Sequence, residues 1–358
     1  MRDRLAAARR VVVKIGTSSL LDERGMLDLP VISRHLRDLV GLHRAGCRVS
    51  LVSSGAIGAG QVRLGYDRRP ATIPELQATA AVGQAVLMNV YNILLAQEGY
   101  VVAQLLLTHE DFRDRRRYLN MRNTLAALHD KAVLPVVNEN DTVSVDEIRF
   151  GDNDALAALI AGLVDAEVTI LLSDVDGFHL DGRRVEEVRE ITAEMEAAAG
   201  PGSGSGGMIS KLRAAGTIAR SGGFAVIAHG KRDSIPALLR GENLGTLFCP
   251  RGDLDSRGRW LHGIAEAGRI VVDAGGEKAV RTEGRSLLPV GIVSCEGDFE
   301  AGDVVLLVGP GGPLAKGLAN YGSADVRRIQ GRRSGEIAAI LGSKEFDEVI
   351  HRDNLVLL

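Results

Sequence analysis

The sequence predicts an α/β protein: an open, mostly parallel sheet sandwiched by helices, followed by a small, mainly β domain. Three observations carry this. Short β-branched runs alternate with longer segments of helical period through residues 1–257, the rhythm of a parallel sheet whose crossovers are helices. Beyond Arg257 the rhythm changes to short strand-like runs separated by glycine-rich turns. The length, 358 residues, accommodates one large and one small domain, each with its own core.

Strands are expected at "RVVVKI" (10–15), "RVSLV" (48–52), "VVAQLLL" (101–107), "AVLPVV" (132–137), "VTILL" (168–172) and "FAVIA" (224–228). The intervening periodicity predicts helices over Pro30 to Arg44, Pro74 to Gln97, Asn120 to Asp130, Asp154 to Leu163 and Met208 to Ser221. Two of these begin with proline, which suits a first turn because the missing N–H would be unpaired there anyway. The polar stretch "PRGDLDSRGRW" leads into a linker at 258–267, and the small domain occupies 268–358. Its strands are expected at "GRIVVD", "GIVSCEG", "DVVLLVG" and "GLANY", with brief helices at "SADVRRI" and "SGEIAAILG".

Composition excludes several functions. Lys plus Arg number 43 against 46 Asp plus Glu, a net charge of -3, so nothing in the total calls for nucleic acid or a membrane surface. Cys47, Cys249 and Cys295 are far apart and form no CxxC pair, against both a zinc site and a disulfide framework, and a reducing cytoplasm is the compartment expected. The basic N-terminus has its apolar run broken by Lys14 and lacks a cleavage pattern, so no signal peptide is read there. With no run of 18 apolar residues, a soluble chain is expected.

In an open parallel sheet, ligands bind beyond the carboxyl ends of the strands. Four such ends here run into "GTSSL", "SSGAIGAG", "NENDTVS" and "SDVDG", a set of small polar residues pointing to one polar pocket. Glycine turns leading into helix N-termini supply free N–H groups and a positive dipole end, the physics of a phosphate site. The common nucleotide motifs are absent: "GAIGAG" has its glycines in the wrong order for GxGxxG, and Gly207 is followed by Met208 rather than by the lysine of a P-loop.

Three features sharpen the chemistry. Lys14 ends the first strand; taken alone, a lysine there reads as an edge-strand residue reaching solvent. Composition makes "GPGSGSGGMISK" (200–211) a flexible linker. Lys211, however, stands one helical turn beyond Gly207, where its ammonium and the helix amides reach the same anion. Together the two lysines would neutralise a polyphosphate and the charge moving between phosphoryl donor and acceptor. "GDNDALAALIAG" offers Asp152 or Asn153 as a helix cap and Asp154 as a dipole partner, but capping needs only one of the three. Beside "NEND" (138–141), they fit a site that binds an ammonium group or organises the lysines. No metal site is expected on these residues alone; Mg²⁺ is expected to arrive with nucleotide phosphates.

These pieces resemble the amino acid kinase family. The matching stretches are "VVVKIGTSSL", "VSSGAIGAG", "LPVVNENDTV", "FGDNDALAALIA", "GSGGMISKL" and "GTLF", in family order across the large domain. The small domain, through "GRIVVD", "SLLPVGI" and "YGSADVRRIQG", resembles a PUA domain. Within the amino acid kinase family there is a close resemblance to the branch that transfers the γ-phosphoryl of ATP to the side-chain carboxylate of L-glutamate, the first step of proline biosynthesis. It implies that Lys14 and Lys211 bind phosphates and stabilise the transferring group, with Asp154 positioning both lysines. It further implies that Ser54, Asp141 and Asn153 hold glutamate, and that Ser173 and Asp174 face ATP. Ser205, Gly206, Gly207, Met208, Ile209, Ser210 and Lys211 would form the nucleotide loop. Family members often carry threonine where this chain has Ser53, Ser173 and Ser205; a hydroxyl remains in each.

Mg²⁺ with ATP, feedback inhibition by proline, a homo-oligomer and a glutamyl phosphate reductase as partner follow from the same resemblance. The chemistry agrees, since a carboxylate acceptor with a pKa near about 4.3 is ionised at neutral pH and needs no general base. His109 follows a strand end without a required role, and His43 and His229 read as helix-face and loop residues. The arginines of "DFRDRRRYLNMR" read as a solvated face, while the family implies a loop near the acceptor and the inhibitor. Two rival readings stand: another amino acid kinase, acting on acetylglutamate, aspartate, carbamate or UMP, or an RNA-binding protein through the PUA-like domain. The latter lacks a basic stripe and a stacking series of aromatics.

Overall fold

The computed structural model describes residues 1–143, 153–200, 207–251, 261 and 264–358, with backbone alone for Arg113, Arg115 and Arg116. Gly151, Asp152, Ser205, Gly206 and half of the expected linker lie outside the described residues. The chain divides into two compact units, Met1–Asp253 and Leu254–Leu358.

The strands of the larger unit are β1 Arg10–Ile15, β2 Arg48–Ser53, β3 Val102–Leu107, β4 Leu134–Glu139, β5 Val168–Ser173, β6 His179–Leu180, β7 Arg183–Arg184, β8 Glu187–Val188, β9 Phe224–His229 and β10 Thr246–Phe248. Eight of them form one sheet in the order β3-β4-β2-β1-β5-β9-β10-β8. All neighbours are parallel except β9 and β10. All six strands expected from the sequence in this unit are present; β8 and β10 are too short to carry a periodic signal.

Its helices are α1 Thr17–Leu20, α2 Leu29–Arg44, α3 Ala56–Leu64, α4 Ile73–Gln97, α5 His109–Arg113, α6 Arg115–Asp130, α7 Asn153–Leu163, α8 Ala193–Ala198, α9 Met208–Arg220 and α10 Ile235–Leu239. One face of the sheet, through Val11, Val13, Ile15, Val49, Leu51, Leu134 and Val136, packs with Leu36 and Leu39 of α2 and Leu87, Tyr91 and Leu95 of α4. Because side chains alternate along a strand, Val12, Lys14, Val137 and Glu139 face the other way.

Two sequence expectations change here. The arginine run begins a helix, α6, earlier than the apolar period indicated, because Asp114 caps it by accepting from the Arg117 N–H at 2.8 Å. "GAIGAG" is helix rather than loop. Gly55 takes φ 92 to turn the chain out of β2. Gly60 and Gly83 let α3 and α4 touch backbone to backbone: a Cβ would stand 1.9 Å from the Thr79 carbonyl oxygen or 1.7 Å from that of Ala56, respectively. These glycines thus hold the end of β2 in place by packing.

Helix α4 is by length and composition long and apolar enough to cross a membrane. Its capping box between Thr72 and Glu75, its seam with α3 and its burial of Leu87, Tyr91 and Leu95 make it a core helix of this fold.

The smaller unit is a five-stranded sheet, β12-β11-β13-β14-β15, built from β11 Gly268–Val272, β12 Ile292–Gly297, β13 Val304–Gly309, β14 Gly312–Leu318 and β15 Leu355–Leu357. Helices α11 Ala274–Arg281, α12 Ser323–Ile329 and α13 Ile337–Leu341 accompany it. The run "GLANY" is strand only in its first two residues, since β14 begins back at Gly312 as the return of a hairpin with β13. Tyr321 is buried and donates its hydroxyl to the Phe346 carbonyl at 2.5 Å, so its ring belongs to the core.

Candidate active site

The sheet sets the site by putting β1 at its centre. A lysine ending an edge strand would reach solvent; Lys14 lies between β2 and β5 and is only 4% exposed, so the solvent reading of this residue is corrected. Its ammonium lies 2.5 Å from Asp154 Oδ1. Asp154 is wholly buried in the first turn of α7, an almost uniformly apolar helix that lies against β1 and β5.

Helix α9 is entered from Gly207, whose extended backbone provides no side-chain cap. One turn later Lys211 places its ammonium 3.1 Å from Asp154 Oδ2, and the Ser210 hydroxyl donates to the same oxygen at 3.0 Å. Burial pushes the Asp154 carboxyl up, but the two lysines outweigh it and hold it below the usual carboxylate range. The trio carries one net positive charge, with both ammonium groups fixed in spacing by a single carboxylate.

Asn153 begins the acceptor side. Its side-chain N–H₂ lies 3.0 Å from the Ser53 carbonyl, 2.9 Å from Ser54 Oγ and 3.0 Å from Asn138 Oδ1. Asn138 donates in turn to Gln84 Oε1 on α4 at 2.7 Å and accepts from the Glu139 N–H at 2.9 Å. Ser53 Oγ shares a 2.8 Å hydrogen bond with the Tyr91 hydroxyl, whose pKa burial raises beyond its ordinary range. The ends of β2, β4 and α7 are thereby locked to α4. Asp141, half-buried, occupies the turn after β4.

Opposite lies a cavity of about 640 Å³ lined in part by Asp174, Gly177, His179, Met208, His229 and Arg232. Ser173, at the end of β5, donates its hydroxyl to Asp174 at 2.8 Å, and its carbonyl accepts from the Gly230 N–H at 2.7 Å. Burial, with help from Arg232, lowers the His229 pKa.

The structure thus brings Lys14, Lys211 and Asp154 into one cluster, with Ser54 and Asn153 beside it and Ser173, Asp174 and Met208 toward the cavity. Ile209 and Ser210 continue into α9. Sequence reading missed Gln84 and Tyr91, helix residues whose polarity gave no motif, and it treated His229 as a plain loop residue although it lines the cavity. His109 Nδ1 stands 3.8 Å from Glu139 Oε1. Within the arginine run, Arg117 pairs with Asp111 at 2.9 Å and Arg122 with Asp165 at 3.1 Å.

A buried two-lysine, one-aspartate cluster at the carboxyl edge of a mostly parallel sheet is machinery for moving a phosphoryl group. In keeping with it, the model of the amino acid kinase family matches residues 9–228 and that of the PUA domain residues 268–341, and the chain belongs to the amino acid kinase family. The glutamate 5-kinase of Moorella thermoacetica is 49% identical, across 99% of this chain and 97% of its own. That of Carboxydothermus hydrogenoformans is 45% identical across the whole of both chains. These full-length matches put the chain among the glutamate 5-kinases. Giardia carbamate kinase, 21% identical, aligns with a TM-score of 0.50 over 68% of this chain and all of its own, a likeness of fold.

Proposed function

We propose that this chain transfers the γ-phosphoryl of ATP to the side-chain carboxylate of L-glutamate, giving ADP and L-glutamyl 5-phosphate, as the first step of L-proline biosynthesis. The observation that carries it is the buried Lys14–Asp154–Lys211 cluster. One glutamate oxygen forms a bond to the γ-phosphorus while the bond from that phosphorus to the β,γ-bridging oxygen breaks. Glutamate and the phosphates are all anionic, so the barrier is dominated by charge, and two prepositioned ammonium groups lower it. The ionised acceptor requires no proton transfer, which agrees with a cluster built without histidine.

The cavity beside Ser173, Asp174 and Met208 would take the nucleotide, with the uncapped amides of α9 toward its phosphates. Ser54, Asn153 and Asp141 would hold glutamate. Among the described residues no group of three His, Cys, Asp or Glu side chains is poised to hold a metal ion, and Asp154 is engaged by both lysines. Mg²⁺ would come with the ATP phosphates, where it would supply further charge neutralisation. Feedback inhibition by proline, hand-over of the product to a reductase, a homo-oligomer and a cytoplasmic location belong to the same reading.

ATP consumption with L-glutamate, trapping the acyl phosphate as its hydroxamate, tests the proposal. A signal is expected with L-glutamate; none there but one with acetylglutamate would overturn it.

A further inference from the structure

The end of β4 carries a buried carboxylate outside the lysine cluster. Glu139 is 5% exposed, and among the described residues its Oε1 makes no hydrogen bond. Among the described residues the basic group paired with it, His109 Nδ1 at 3.8 Å, stands beyond hydrogen-bond distance. Asn153 Oδ1, on a residue linked to the same strand end, is likewise buried without a donor among the described residues. Buried acceptors are normally paired, and two orphans at one strand end mark a place for a donor that the described residues do not supply.

The face and register of Glu139 indicate which donor. Asn138 turns toward Gln84 on α4, so Glu139 projects from the opposite face, the one bearing Lys14 and Asp154. Lys14 aligns with Val52 and Val52 with Val137. Glu139 therefore lies two strands from Lys14, about 10 Å sideways, and two residues, about 7 Å, nearer the carboxyl edge. Shortened by the two side chains, that span suits an extended amino acid with its carboxylate at the lysines and its ammonium toward β4.

We propose that Glu139 recognises the α-ammonium of the acceptor and so selects a free amino acid over the same diacid without that group. This inference rests on the glutamate reading above. A buried carboxylate suits the task because its attraction is little screened by solvent, whereas Asp141 is half-buried in the following turn.

The test compares KM for L-glutamate with the competitive inhibition constant of glutarate, which lacks the ammonium, in wild type, Glu139→Gln, Glu139→Asp and His109→Ala. Thermal unfolding verifies that each variant folds. Glu139→Gln should raise KM for L-glutamate about 10- to 150-fold, the range for loss of a charged hydrogen bond. Its kcat and its glutarate constant should stay within about threefold, and Glu139→Asp should recover part of the loss. Glutamate and glutarate weakened alike, or an unchanged KM, would overturn the assignment. So would His109→Ala reproducing the shift, which would give Glu139 the role of holding α5. If glutarate inhibits neither protein, equal KM values for the Gln and Asp variants would overturn it. A wild type inactive with L-glutamate would instead overturn the proposed function, and the same comparison would then be run on the acceptor it does use.

Discussion

Replacing Asp154 by asparagine keeps the shape of the side chain and removes the charge that holds two buried ammonium groups together. At 2.5 and 3.1 Å each pair attracts by about 6 kcal/mol at an effective dielectric constant of 20. Burial of the ions offsets much of that. What remains when one partner is removed is a loss of about 3 to 5 kcal/mol, because two cations are left without an anion. For a unit of this size the melting temperature should fall by roughly 6 to 20 °C. ATP should restore part of the fall, since its phosphates replace the missing anion and stabilise by binding. Turnover should drop by about 10²- to 10³-fold as the lysines lose their spacing. Thermal unfolding with and without a non-hydrolysable ATP analogue, beside the hydroxamate assay, reads both effects. A variant melting within 2 °C of wild type, with turnover within tenfold, would refute the role of Asp154 as the common anchor. The acid limb gives a cross-check. A carboxyl held below its usual value of 3.8 contributes stability that is present above that pH and is lost only as pH falls below it. Wild type should keep this contribution down to about pH 4, and Asp154→Asn should lack it.

Lys211→Ala should lower kcat by about 10²- to 10³-fold, some 2.7 to 4 kcal/mol of transition-state stabilisation, with folding intact; near-normal turnover would remove Lys211 from the mechanism. Asp141→Ala should chiefly raise KM for L-glutamate, and an unchanged glutamate dependence would contradict its assigned contact. Gly83→Ala drives a methyl into the Ala56 carbonyl and should destabilise by about 1 to 3 kcal/mol or more, measured by denaturant unfolding; wild-type stability would show that α3 and α4 can separate without penalty. Burial and the neighbouring Arg34 hold the His35 pKa down at about 4, against 6.5. The unfolded chain therefore takes up the proton first as pH falls, and stability drops from pH 6.5 toward 4. About 2 kcal/mol should be lost between pH 7.5 and 5, and a His35→Leu protein with the same pH slope would assign that loss to other groups.

Local sequence determined a large share of this protein. β-branched runs and helical periods record how each segment meets the core, so the six principal strands and five helices were readable without knowing their neighbours. Lys14, Asn153, Asp154 and Lys211 were legible because each stands beside a strand end or helix start, where local rules leave polar residues to be explained. Tertiary structure decided what such rules do not encode. The position of β1 at the sheet centre turns Lys14 from a solvent residue into a buried one, and "GAIGAG" becomes a helix seam because α4 presses backbone against it. Gln84, Tyr91 and His229 gave no motif, and "NEND" did not single out Glu139 from its neighbours, since their importance comes from which atoms the sheet order brings near them. Periodicity is a property of adjacent residues, whereas the charge balance at Asp154 arises only when three distant segments are packed together and water is excluded from between them.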